Sequence, residues 1–134
     1  MTLDESIKLF SNDRFATQQT GVRIVEVAKQ YARCEMTITD CLRNAMGSVM
    51  GGALFTLADL AFAAAANHDG LNWVSANSTI NYLSPVSDGT LTAHAKCLKQ
   101  GRRSCLYSIE IRDSHEKLIA IVSTYGTNIS HPNP

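Results

Sequence analysis

The segment Gly51-Gly52-Ala-Leu-Phe-Thr-Leu-Ala-Asp-Leu-Ala-Phe-Ala-Ala-Ala-Ala66 constrains the chain more than any other. Its alanine and leucine content predicts a helix running to about Asn67, roughly 25 Å long at about 1.5 Å per residue. Apart from Thr56 and Asp59 it has no polar face. A helix of that kind is expected to be buried on every side, so the rest of the chain must wrap it. At 134 residues there is room for one sizeable core, which predicts a single domain over 1–134.

The flanking segments read as strands. Tyr31 to Thr39 alternates Ala32, Cys34, Met36 and Ile38 with Arg33, Glu35, Thr37 and Thr39, a period of two with one wet face. Val22 to Ala28 precedes it, and Lys29-Gln30 leaves room for a tight hairpin. After the helix come strands over 72–83, 90–98, 104–112 and 117–128, separated by turns. The last is apolar on both faces from Leu118 to Val122, which predicts a central position in the sheet. Leu3, Ile7 and Phe10 predict a short amphipathic helix over about 3–11, and the tail from about 130 to 134 is expected to fray. The order predicts an α+β hot-dog fold, a curved antiparallel sheet around one long buried helix. Ser75, Asn77, Thr79 and Asn81 are expected to share one side of the long strand, and its half-polar edge to pair with a second subunit.

Twelve Lys plus Arg balance twelve Asp plus Glu, which removes the electrostatic footprint of a general nucleic-acid binder. The longest strictly apolar run, Leu60 to Ala66, is too short for a membrane span, and the acidic start Met-Thr-Leu-Asp-Glu-Ser is unlike a signal peptide. A cytoplasmic protein with neither nucleic acid nor membrane as partner is the expectation. Cys34, Cys41, Cys97 and Cys105 lack metal-ligand spacing. Three of them fall on dry strand faces, and all four are read as structural. No metal is expected.

Asp59 stands where the helix pattern calls for an apolar residue, so it must be paired, protonated or facing a wet cleft. Structural and functional readings weigh equally there. The glycine pair Gly51-Gly52 lets a ligand approach free N–H groups at the positive end of the helix, a setting suited to an oxyanion. Asp59 lies seven residues beyond Gly52, or about 10 Å down the helix. One chain cannot bring both to a single carbonyl; a symmetry mate can.

The run Arg43-Asn-Ala-Met-Gly-Ser-Val-Met-Gly-Gly-Ala-Leu-Phe-Thr-Leu-Ala-Asp59 resembles the signature of the PaaI-type acyl-CoA thioesterases of the hot-dog superfamily. Val74 to Pro85, Gly101-Arg-Arg and Lys117-Leu-Ile-Ala are similar to that family as well. The resemblance implies hydrolysis of a small aliphatic or aryl acyl-CoA at a subunit interface, in a homo-oligomer arranged as a dimer of dimers, with no cofactor beyond the coenzyme A of the substrate. Asp59 matches the carboxylate that activates or orients water, Gly51 the N–H that polarises the carbonyl, Asn44 a side chain that helps bind it, and Ser75 one that helps hold the water. Gly52, Met50 and Asn77 are further candidate contacts. Arg102 and Arg103 are candidates for coenzyme A phosphates, a solvated basic turn being the other reading. One departure stands out: the family usually has His before Gly-Gly, and this chain has Met50, which transfers no proton. An acyl-CoA binding or sensing protein with weakened catalysis is therefore the alternative.

Overall fold

The fold was analysed in a computed structural model that describes residues 1–130. Most of the expected frayed tail lies outside the described residues. Helix α1 (Leu3–Phe10) is followed by a short π-helical turn (Phe15–Gln19), then β1 (Arg23–Ala28) and β2 (Tyr31–Thr37). A loop leads to α2 (Gly51–Ala66), and four strands follow: β3 (Trp73–Tyr82), β4 (Thr90–Gln100), β5 (Ser104–Arg112) and β6 (Leu118–Asn128). All neighbours are antiparallel in one six-stranded sheet of order β1-β2-β4-β5-β6-β3. The helix packs against the sheet's inner face, and β6 is interior, as its two-sided apolar pattern predicts.

The dry faces of the alternating strands form the core under α2. Ala32, Cys34, Met36, Leu91, Ala93, Ala95, Ile109 and Ile111 are fully enclosed against Leu57, Ala58 and Ala61. Small residues on both layers let helix and sheet approach, and each large side chain removed from water contributes about 1.5–3 kcal/mol. Phe62 meets Tyr107 edge to face at 5.3 Å between ring centroids. Gly126 sits under these rings: a Cβ there would lie 2.7 Å from the Cys105 sulfur and 2.9 Å from Phe62.

Two expectations need correction. First, α2 is not buried all round. Gly52 and Asp59 are exposed and Phe55, Thr56, Ala63 and Ala66 half-buried, a single stripe at helical spacing that the sheet does not cover. Second, Ser75 and Asn77 do not share a face. Ser75 pairs with Gly126 but Asn77 with Tyr125, so Ala76 is the extra residue of a β-bulge. Ser75 therefore faces the helix side with buried Gly126, while Asn77, Thr79 and Asn81 face outward. Helix α1 forms where it is expected and docks on β1, with Phe10 buried and Ile7 45% exposed. The strand over β3 is an edge of the sheet, as expected, and the Lys29-Gln30 turn is tight, with Gln30 at φ 60°.

Asn67 ends α2 and fixes the start of β3. Its carbonyl oxygen accepts from the N–H groups of Asn72 and Trp73, both at 2.8 Å, and its amide donates to the carbonyls of Ala63 and Trp73. It is 3% exposed. Asn67→Ala is expected to lower stability by about 2–3 kcal/mol by stranding those buried backbone groups, measurable as a shift in urea midpoint at unchanged m.

Candidate active site

The loop from β2 into α2 is built to present its amides. The Arg43 guanidinium bonds to Asp40, to the Ser87 carbonyl at 2.9 Å and to Asp88 at 3.1 Å, tying the loop to the β3–β4 connection. Val49 N–H donates to the Val86 carbonyl and Met50 N–H to Leu42, both at 2.8 Å. Asn44 closes the tip between them, its side-chain oxygen accepting from Met46 N–H at 2.9 Å and Ser48 N–H at 3.1 Å. That leaves the Asn44 amide nitrogen without an acceptor among the described residues.

At the head of α2, Ala53 and Leu54 donate to the Met50 carbonyl, whereas Gly51 and Gly52 N–H find no acceptor among the described residues. No side chain caps the helix. Asn44 and Gly51 line one cleft of about 490 Å³, completed by Val49, Leu54, Tyr82 and Val86. Two of the four predicted catalytic residues are thus brought together, with free donors and the positive end of the helix dipole directed at the same space. Met50 is 58% exposed and lines a different, largely apolar groove of about 440 Å³, shared with Phe15, Leu42, Gly52 and Ala53. A thioether suits that groove as a flexible apolar wall.

Asp59 lies elsewhere. It occupies the middle of the uncovered stripe of α2, in a groove of about 300 Å³ with Asp13, Arg14, Phe15, Thr56 and Leu60. No side chain or backbone donor meets its carboxylate among the described residues. Burial pushes its pKa above the usual carboxylate value, and the charge of Asp13 adds to the rise. The result is an unpaired carboxylate made more basic than a free aspartate, in a wet groove.

The remaining candidates are dispersed. Ser75 is exposed on the helix side of edge strand β3, and Asn77 points to the opposite side of the sheet, so one ligand on the helix side cannot meet both side chains. Arg102 and Arg103 are exposed in the β4–β5 turn, whose backbone is pinned by Asn128. Arg102 shares a polar cleft of about 330 Å³ with Ala65 and Ala66, the far end of α2 from Gly51. One chain therefore holds the candidate residues in separate places, with free donors at the head of the helix and the carboxylate and basic turn further along it. Sequence reasoning missed Asp13 and Tyr82. A carboxylate two residues before Phe15 had no periodic partner to flag it, and nothing in Asn-Tyr-Leu-Ser-Pro indicates that the ring covers Gly51.

Residues 46–120 match the family model of the thioesterase superfamily. The chain is 39% identical over 114 residues to the acyl-coenzyme A thioesterase PaaI of Escherichia coli, covering 84% of this chain and 81% of that protein. Human acyl-coenzyme A thioesterase 13 is 32% identical over 126 residues, with 89% of each covered. The solved structure of the E. coli PaaI protein, described as part of a phenylacetic acid degradation operon, superposes with a TM-score of 0.83 over 96% of both chains at 32% identity. On these likenesses the chain belongs to the thioesterase superfamily and has its hot-dog fold.

Proposed function

We propose that this protein hydrolyses the thioester of a small aliphatic or aryl acyl-CoA at a site shared by two copies of the chain. The observation that carries the reading is the pairing of Asn44 with the free Gly51 N–H in one cleft while an unpaired basic Asp59 waits on the open stripe. The names of the E. coli and human relatives support acyl-CoA as substrate, and the operon of the former supports an aryl acyl group.

The split between half-sites supports the two-chain arrangement. A two-fold axis beside the open edge of β3 runs the α2 helices of two copies in opposite directions. The head of one helix then lies near the stripe of the other. A dimer of two such dimers is the proposed assembly. Asp59 and Ser75 of one copy hold water against the thioester carbonyl, whose oxygen accepts from Gly51 N–H and the Asn44 amide of the second. Asp59 takes a proton as the water oxygen bonds to the carbonyl carbon. The tetrahedral oxyanion collapses, the C–S bond breaks, and the proton passes to the departing coenzyme A sulfur. The chemistry requires no metal and no cofactor beyond the substrate's own coenzyme A. Arg102 and Arg103 offer forks for its phosphates. Asn77, on the outer face, is left without a role in this site.

Thiol release from a panel of short, medium and aryl acyl-CoA thioesters tests the reading. Asp59→Asn is expected to lower turnover by about two orders of magnitude or more. No hydrolysis of any thioester, with tight acyl-CoA binding, would instead favour the sensing role that Met50 raises.

The shifted pKa makes a second prediction. Because folding disfavours ionised Asp59, wild type carries a stability penalty at neutral pH that disappears once the carboxyl is protonated. Asp59→Asn should therefore melt at or above the wild-type temperature at pH 7. That gap should close as pH falls through the raised Asp59 pKa toward the ordinary aspartate value. In the active enzyme, the acid limb of kcat/KM should fall at a pH above the ordinary aspartate value.

A further inference from the structure

Met50 leaves the carbonyl cleft without the histidine usual at that position, and the structure offers another donor. At the end of β3 the Tyr82 ring folds over Gly51. A Cβ built on Gly51 would lie 2.7 Å from the Tyr82 hydroxyl oxygen and 2.8 Å from the ring carbon that bears it. The phenol thus occupies the space that a side chain at 51 would take, so a larger residue there would have to displace the ring. In a helix the Cα–Cβ bond tilts toward the N-terminus, the direction in which the free first-turn N–H groups also point. The Tyr82 hydroxyl and the Gly51 N–H therefore address the same volume.

The strand fixes the Tyr82 backbone beside the helix head. Tyr82 pairs with Ala120 on the helix side of the sheet, and the next two N–H groups, of Leu83 and Ser84, both donate to the Ile119 carbonyl. The phenol has no hydrogen-bond partner among the described residues, is 55% exposed as a residue, and lines the same 490 Å³ cleft as Asn44. The phenol O–H can donate a hydrogen bond.

We propose that the Tyr82 hydroxyl is a third hydrogen-bond donor to the thioester carbonyl oxygen, beside Gly51 N–H and the Asn44 amide. The inference rests on the thioesterase reading above and adds a catalytic residue to it. With the phenol in place, the oxyanion meets three donors without a histidine, and Met50 is free to serve as an apolar wall on the other side of the helix head.

Tyr82→Phe keeps the ring over Gly51 and removes only the hydroxyl. The expected result is a loss of about 10- to 100-fold in kcat, a several-fold rise in KM and an unaltered melting temperature. Two inert ligands separate hydrogen bonding from packing: a ketone analogue of the acyl-CoA, with CH₂ replacing sulfur and the carbonyl kept, and an S-alkyl-CoA, which has no carbonyl. Tyr82→Phe should weaken the ketone analogue several-fold and leave the S-alkyl-CoA unchanged. Unchanged kcat, or equal weakening of both ligands, overturns the role of Tyr82 while leaving the thioesterase reading intact. A wild-type protein that hydrolyses no thioester and binds both ligands alike overturns the reading and this inference together.

Discussion

The burial of α2 is the constraint from which the rest follows. A 16-residue helix with nine buried apolar side chains cannot remain in water, and no second helix of comparable length exists among the described residues to cover it. The sheet must therefore curl round it. Extra residues at Val25, Ala76 and Leu98 break the ladder register and let the strands bend and twist as they do so. A six-stranded sheet still encloses less than the full circumference of a helix. What it leaves open is the head, where the first amides lack partners, and the stripe through Gly52, Thr56 and Asp59. Wrapping the helix and exposing the candidate chemistry are thus one structural event.

Much of this was legible in the sequence, because periodicity and composition are local. The helix from Gly51, the six strands, the Lys29-Gln30 hairpin and the interior position of β6 all follow from alternation and turn residues. The features missed depend on non-local geometry. One inserted residue at Ala76 separates Ser75 from Asn77, and a pattern of alternating polar residues cannot show which of them is unpaired. Phe15 to Gln19 forms a π-helical turn whose sequence carries no distinctive signal, and that turn brings Asp13 and Phe15 to the stripe of α2. Asn67 looked like the end of an apolar run. Only the fold shows that its amide joins the helix to β3.

The candidate site divides the same way. Asp59 and the Gly51-Gly52 pair stand out by residue type and place on the helix, whereas Asn44 enters only through the family resemblance; the structure shows a held Asn44 amide, a free Gly51 N–H and an unpaired Asp59 carboxylate. In the proposed two-chain site their roles depend on which chain contributes each group, and the arguments for that arrangement are the open edge of β3 and the distance along α2. The basic turn is the clearest case. By sequence it stands apart from the helix motif, and in space it lies at the far end of α2, alongside Ala65 and Ala66.

The absence of a histidine at Met50 also has a physical reading in terms of the leaving group. A thiol titrates near pH 8.5, so coenzyme A can depart as a thiolate without the strong general acid that an amine or alkoxide requires. The difficult part of thioester hydrolysis is then the approach of water and the charge that develops on the carbonyl oxygen. Both terms are electrostatic. In the proposed reaction the first falls to a carboxylate whose basicity is raised by partial burial and by Asp13, and the second to donors fixed before substrate arrives. Fixed donors need no proton of their own to give away. A methionine at that position therefore removes a hydrogen-bonding group and leaves the proton balance of the proposed reaction intact, and the cleft at the head of α2 still holds an amide, a backbone N–H and a phenol to meet the charge.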